Sequence, residues 1–261
     1  MNLKVMPKLS VVLAVKNEEI NIRACLEAVK WADEIIVVDD CSTDRTVEIC
    51  REYTDKIIVN DTRGNFHENK NLGLASAGGD WMLSLDADEV VSPGLKEEIL
   101  ARLAAEPGGI DGFYLPRNNY FLGKHITGCG WSPDYIIRLF RKGAARWPLD
   151  IHDVPRLADE RRAARLESPL IHHSYYSLAQ YFEKFNRYTT KLAGEQREKG
   201  VRVSAKNFPA LFFIKPAYWA LRKYLLQKGF LDGFRGFLIS LSSGLVIFVT
   251  YAKLWEIQEN E

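Results

Sequence analysis

The sequence predicts an α/β fold, a parallel sheet covered on both faces by helices, with a helical extension behind it. Three features predict this. Short continuous apolar runs recur through the first hundred residues, helical spacing separates them, and long helical stretches take over after residue 176. A strand buried on both faces is apolar throughout, so unbroken runs between helices point to parallel strands in a middle layer.

The elements follow in order. Leu9 to Val15 (LSVVLAV) is a buried strand, and Ile20 to Lys30 a helix with Ile22, Leu26 and Val29 on one face. Glu34 to Asp39 (EIIVVD) is the second strand. Ser42-Thr43-Asp44 supplies N-cap chemistry for a helix reaching about Tyr53. Lys56 to Asn60 is the third strand, His67 to Ala77 a helix, and Asp80 to Asp86 (DWMLSLD) the fourth strand. Ser92-Pro93 caps and opens a helix to about Ala105. Beyond Gly108, Phe113 to Phe121 and Tyr135 to Arg141 (YIIRLFR) read as strands between loops rich in Gly, Pro and Trp. From Ser177 the chain is helical, and from Phe208 strongly aromatic and apolar.

Charge divides the chain at about the same place. Residues 1–175 hold 22 Lys and Arg against 27 Asp and Glu, whereas residues 176–261 hold 13 against 7, so the back segment should meet an anionic partner. A chain of 261 residues buries a core without staples. Cys25, Cys41, Cys50 and Cys129 have no zinc or CxxC spacing, and residues 1–8 are too polar and short for an export signal. Reduced thiols in the cytoplasm are therefore expected.

Three polar clusters stand at the carboxyl ends of predicted strands: Lys16-Asn17-Glu18, Asp39-Asp40 and Asp86-Ala87-Asp88-Glu89. Open parallel sheets bind ligands in the crevice at those ends. One acidic strand end is commonly a solvated turn, but three converging would form a single acidic site. If strand geometry persists, Asp86 and Asp88 project to one side, an arrangement suited to a hard divalent cation, Mg²⁺ or Mn²⁺, that would neutralise a departing diphosphate.

The runs VVLAVKNEE, IIVVDDCSTDRT and NKNLGLASAGGDWMLSLDADE, in this order and spacing, resemble the family 2 glycosyltransferases of GT-A (Rossmann-like) fold. The resemblance covers roughly the first 90 residues. It implies that Asp39, with Asp40 beside it, holds the uracil or ribose side of a nucleotide sugar, and that Asn17 and Glu18 cap the base. Lys70, in Lys70-Asn71-Leu72-Gly73, and Asp86 would lie near the diphosphate, with Lys where the family often has Arg. Asp88 would be the direct metal ligand, with Asp86 beside it. The segments GWSPDYIIRLFRKGAARW, DIHDV, GFLDGFRGFLISLSSG and YAKLWE narrow the resemblance to the subgroup that builds lipopolysaccharide core, implying transfer of glucose to an inner-core heptose. Residues 1–110 then form a nucleotide-binding half, 111–175 an acceptor and catalytic half, and 176–261 a membrane-associating region.

The base that takes the acceptor proton should come from the second half. Asp134 resembles the acidic motif that supplies it in many family members, although the usual Glu-Asp pair is here Pro133-Asp134; Asp153, beside His152, is the alternative. His152 is a candidate third metal ligand, His172-His173 a weaker one, and either could simply be a hydrogen-bonded structural residue. His67 and His125 read as surface residues. Trp131 and Tyr135 fit sugar stacking or core packing equally well.

In the tail, Arg197 to Arg235 contains nine Lys or Arg against Glu198 and Asp232, interleaved with aromatics, and Gly236 to Ala252 is uncharged. Such a segment suits a helix lying in an anionic leaflet more than a full span, which needs about 20 apolar residues. Packing on the catalytic domain or closing a homodimer are the alternatives. Nucleic acid is not expected as a partner, because the aromatics cluster with Leu and Ile rather than forming a stacking platform.

The expected activity is inverting transfer from a nucleoside diphosphate sugar, UDP-linked, to a hydroxyl of a lipid-linked glycan, on the inner face of the cytoplasmic membrane. Two rivals stand beside it. A haloacid-dehalogenase-type phosphatase would use Asp86 as nucleophile, since Asp86-Ala87-Asp88-Glu89-Val90 fits its spelling. A non-catalytic membrane adaptor could carry a dead transferase fold.

Overall fold

Apolar runs this strong fold as the central strands of a sheet. The computed structural model describes residues 6–63, 65–105, 108–148 and 155–261. In chain order the elements begin β1 (Leu9–Val15), α1 (Ile22–Val29), β2 (Glu34–Asp39), α2 (Thr46–Cys50), β3 (Ile57–Val59) and α3 (Phe66–Ser76). There follow β4 (Trp81–Leu85), β5 (Glu89–Val91), α4 (Pro93–Ala104), β6 (Gly112–Phe121), β7 (Lys124–His125) and β8 (Tyr135–Arg141). The rest are β9 (Ala145–Arg146), β10 (Arg156–Leu157), β11 (Ala163–Arg165), β12 (Leu170–Tyr175), α5 (Leu178–Glu198), α6 (Lys215–Leu221) and α7 (Gly233–Glu259). The chain forms two compact units, one of residues 1–118 and 134–172, the other of residues 119–133 and 173–261.

In the first unit the strand order is β3-β2-β1-β4-β8-β6. β1 pairs in parallel with β2 and β4, and β2 with β3, while β8 runs antiparallel to both β4 and β6. The sheet is thus parallel where the sequence reads as strand and helix in alternation, and mixed beyond. All seven residues of β1 are buried, as a strand covered on both faces must be. Its core includes Leu13, Leu26, Trp81, Leu83 and Phe113. The Ser92 hydroxyl caps α4 by accepting from Leu95 N, with Pro93 at the first helical position. The helix expected from Ser42 to Tyr53 is the shorter α2, preceded by the Asp44 carboxylate, which accepts from Thr46 N and Oγ1.

α3 departs from ordinary amphipathicity. The residues it buries are His67, Asn69, Lys70 and Gly73. Gly73 lets the helix lie close on the sheet, since a Cβ there would sit 2.5 Å from Val12 Cγ1. Lys70, one turn earlier, faces the same way. His67 is buried rather than on the surface: its Nδ1 lies 2.6 Å from Pro148 O, and its ring is 4.9 Å from that of Trp147.

The second unit is helical around the β6–β7 hairpin. Trp131 packs edge-on to Phe121, which also meets Tyr175 and Tyr181, so it lies partly buried against the core of this unit. Lys253 of α7 donates to Asn186, Thr189 and Thr190 of α5. The Asp232 carboxylate accepts from Thr127 N (3.1 Å), Thr127 Oγ1 (3.2 Å) and Gly128 N (2.7 Å). At Gly236 a Cβ would meet Gly229 O at 1.8 Å, so no other residue fits there without movement of the backbone. The helix over Gly229–Glu259 is long and apolar enough to cross a membrane by length and composition. It nevertheless buries one face, including Gly236, Ile239, Ser240 and Leu254, and exposes another.

Candidate active site

The adjacency β2-β1-β4 brings the three polar clusters side by side, with Val15 opposite Asp39 and Leu13 opposite Leu85. Their side chains then divide the work.

The β1 cluster holds the loop after β2. Asn17 has a φ of 54°, a left-handed conformation that Asn tolerates; its Oδ1 accepts from Thr43 N (2.8 Å), and its own N–H donates to Ser42 Oγ (2.9 Å). Glu18 N donates to Thr46 Oγ1, and Glu18 Oε2 accepts from Asn21 Nδ2. Asp40 is buried in internal bonds: Lys16 Nζ lies 2.8 Å away, and Oδ1 accepts from Thr62 N and Oγ1. Asp39 differs. Its Oδ2 accepts from Ser42 N at 3.0 Å, whereas its buried Oδ1 accepts no hydrogen bond among the described residues. A buried carboxylate oxygen without a donor is costly, which marks it as the place where a ligand N–H or O–H would bind.

Beyond β4 lies a row of alternating charges. The strand ends at Leu85, and residues 86–88 turn instead of continuing it, with Glu89 N donating to Asp86 O. The two aspartates therefore meet different partners. Asp86 takes Lys70 Nζ on one oxygen and Arg138 on the other, both at 2.5 Å. Arg138 also reaches Glu89 at 2.8 Å; Arg117 joins Glu89 (3.3 Å) to Asp134 (2.8 Å). Lys70 and Arg138 are 5% and 4% exposed and Glu89 is 0% exposed, so none could stay charged without its neighbours. Burial alone would raise the Asp86 carboxyl, but Arg138 and Lys70 reverse this and hold it well below the usual carboxylate range. Burial pushes the Lys70 ammonium down, against the pull of Asp86. Trp147 floors the row, with Lys70 Nζ 3.8 Å and the Arg138 guanidinium 5.1 Å from its ring. Asn71 fixes Trp147 by bonding both its N–H and its carbonyl.

Asp88 pairs with His172 instead, its carboxylate 3.5 Å from Nε2. These two offer one oxygen and one nitrogen, donors that Mn²⁺ accepts. Among the described residues no group of three His, Cys, Asp or Glu forms a complete cage. His152 and Asp153 lie outside the described residues. Among the described residues, His172 of the His172-His173 pair is the histidine beside Asp88. Tyr135, 39% exposed, lies under the Arg165 guanidinium at 4.7 Å.

Sequence reasoning gave no role to Arg117, Arg138 or Trp147. A signal existed for Arg138, since a charge inside the apolar run YIIRLFR has to be either a surface residue or a paired one. Removing the cation shared by Asp86 and Glu89 leaves the buried Glu89 carboxylate, and the partly exposed Asp86 carboxylate, each short of a partner. Arg138→Met should therefore lower stability by about 3–5 kcal/mol, read from urea denaturation at pH 7. A loss under about 1 kcal/mol would show that the row is not what holds these elements together.

Comparison with known proteins agrees with this geometry. The model of glycosyl transferase family 2 matches residues 10–156. The chain is 28% identical to the lipopolysaccharide core biosynthesis glycosyltransferase LpsC of Rhizobium meliloti, over 95% of this chain and 92% of that one. It is equally 28% identical to the uncharacterized glycosyltransferase RT0209 of Rickettsia typhi, over 97% and 88%. Among solved structures, the mannosyltransferase PcManGT of Pyrobaculum calidifontis, in complex with GDP-Man and Mn²⁺, shares the fold with a TM-score of 0.55, 13% identity and coverage of 99% and 89%. The architecture is the GT-A fold, and the phosphatase alternative gives way to a transferase family. A family match over more than half the chain, on a sheet whose three polar strand ends converge, places this protein in glycosyl transferase family 2.

Proposed function

We propose that the protein transfers a sugar, with inversion, from a UDP-sugar to a hydroxyl of a lipid-linked glycan. The observation that carries the donor assignment is the buried, unaccepting Oδ1 of Asp39 beside an Asp40 already committed to Lys16 and Thr62. Asp39 recognises the base or ribose, and Asn17 and Glu18 shape the loop that closes over it. Asp88 and His172 hold a divalent metal, Mg²⁺ or Mn²⁺, which when bound neutralises the departing diphosphate. Lys70 and Arg138 orient Asp86 at the diphosphate side. Asp134, fixed by Arg117, takes the acceptor proton; Asp153 is the other carboxylate in contention. The name of LpsC favours lipopolysaccharide core as acceptor; glucose passing to an inner-core heptose is the finer form of the same proposal. The basic, aromatic helical unit rests on the inner face of the cytoplasmic membrane, where such an acceptor is found; closure of a homodimer by the same surface is the competing outcome.

Calorimetry with UDP tests the donor site. Asp39→Ala should weaken binding by about 1–3 kcal/mol, the range for losing a hydrogen bond to a charged group. Unchanged affinity would remove Asp39 from the nucleotide site.

A further inference from the structure

The second unit contains a groove that the transfer chemistry does not use. Its volume is about 830 Å³, toward the upper end of the roughly 300–1,000 Å³ common for small-molecule sites. Phe208, Phe212, Phe213, Phe248, Ala252 and Trp255 form its apolar wall, with Phe212 and Phe248 edge-to-face at 5.3 Å. The polar lining residues come from two segments that meet, because Val203 N donates to Gln258 Oε1 (3.0 Å) and Gln258 Nε2 to Val201 O (3.2 Å). Arg202, Ser204, Gln258 and Glu259, from these two segments, form the polar part of the lining. The segment from Lys199 to Lys206 adds three basic residues and no acid, and the Arg202 guanidinium has no ion pair among the described residues.

The groove continues an apolar stripe. Along α7, Phe234, Phe237, Leu241, Leu245, Phe248 and Trp255 are all exposed, at helical spacing. The stripe covers about 30 Å at the α-helical rise, too much contiguous apolar surface to be left to water. Phe248 and Trp255 belong to stripe and groove alike. A long apolar channel whose polar part carries the Arg202 cation, with Glu259 also in the lining and Lys199 and Lys206 in the adjoining segment, matches an acyl chain joined to a phosphodiester better than a sugar or a nucleotide, which need polar groups along their length.

We propose that this groove holds one acyl chain of an anionic membrane phospholipid, with the phosphate on Arg202. The ligand's source rests on the membrane-surface reading of the helical unit. The site would make attachment selective for individual lipid molecules as well as for surface charge.

The test uses the full-length protein and lysophosphatidylglycerol carrying bromine on its acyl chain, kept below its micellar concentration. Bromine quenches a tryptophan that it touches, and Trp255 is the tryptophan that lines the groove. Saturable quenching is expected, lost in Trp255→Phe. Ala252→Phe fills the groove and should weaken binding by about tenfold or more. Arg202→Glu, which leaves the apolar wall untouched, should weaken it by a similar factor. Unsaturable quenching, or wild-type affinity in both variants, would overturn the proposal. So would conversion of a dimer to a monomer by Ala252→Phe in light scattering, which would assign the groove to a second copy. Sedimentation with phosphatidylglycerol vesicles separates the two readings: loss of sedimentation with quenching intact removes the membrane reading, and sedimentation without quenching removes the groove alone.

Discussion

Asp88→Asn should reduce sugar transfer by about 10³-fold or more while leaving the fold intact. Asn keeps the shape of the side chain and loses its charge. A metal at a departing diphosphate is worth several kcal/mol, and each 1.36 kcal/mol is tenfold in rate. The Asp88–His172 pair offers one oxygen and one nitrogen donor just beyond β4, so the variant should not be rescued by added Mn²⁺. EDTA should silence the wild type and Mn²⁺ restore it, followed as UDP release from a labelled donor. Because Asp86 keeps both of its cationic partners in this variant, thermal stability should stay close to wild type. Full activity in EDTA would end the metal assignment.

Asp134→Asn should leave UDP-sugar affinity near wild type and cut turnover by about 10²–10⁴-fold, the scale of losing a general base. Asn can still accept the Arg117 hydrogen bond that now reaches Asp134 Oδ2 at 2.8 Å, so geometry is retained and basicity removed. Single-turnover kinetics with saturating donor separates this from a binding defect. If Asp153→Asn shows the loss and Asp134→Asn turns over normally, Asp153 is the base.

What the sequence made legible was whatever leaves a local signature. β1, β2 and β4 are unbroken apolar runs because both their faces are covered, and β8 was found residue for residue for the same reason. The acidic strand ends could be listed, but not how their atoms are used. Asp39 and Asp40 are neighbours of identical chemistry; only the three-dimensional bonds show that Asp40 is occupied by Lys16 and Thr62 while one Asp39 oxygen is not. β5 is three residues long and begins inside an acidic cluster, and β12 contains two histidines, so neither looked like a strand. Their pairing, His172 opposite Glu89, is what carries an imidazole to Asp88. No spacing rule foretells a contact between segments so far apart in sequence. The expectation that Asp86 and Asp88 share one side rested on strand geometry persisting past Leu85, and the turn over residues 86–88 removes that premise.

The Asp232 carboxylate also bears on where this chain can be cut. A C-terminal helical region that begins after the last strand invites truncation, with the expectation that everything before it survives. Here the excursion over residues 119–133 belongs to the same compact unit as residues 173–261, and Thr127 and Gly128 are bonded by the side chain of Asp232. Removing the tail would strip those amides of their acceptor and expose Phe121 and Ile126, which pack against Ile239. Covalent continuity and structural modularity do not coincide in this protein. Its tail can be probed by point substitution on the exposed stripe, whereas a shortened gene product would report on a damaged unit rather than on a missing anchor.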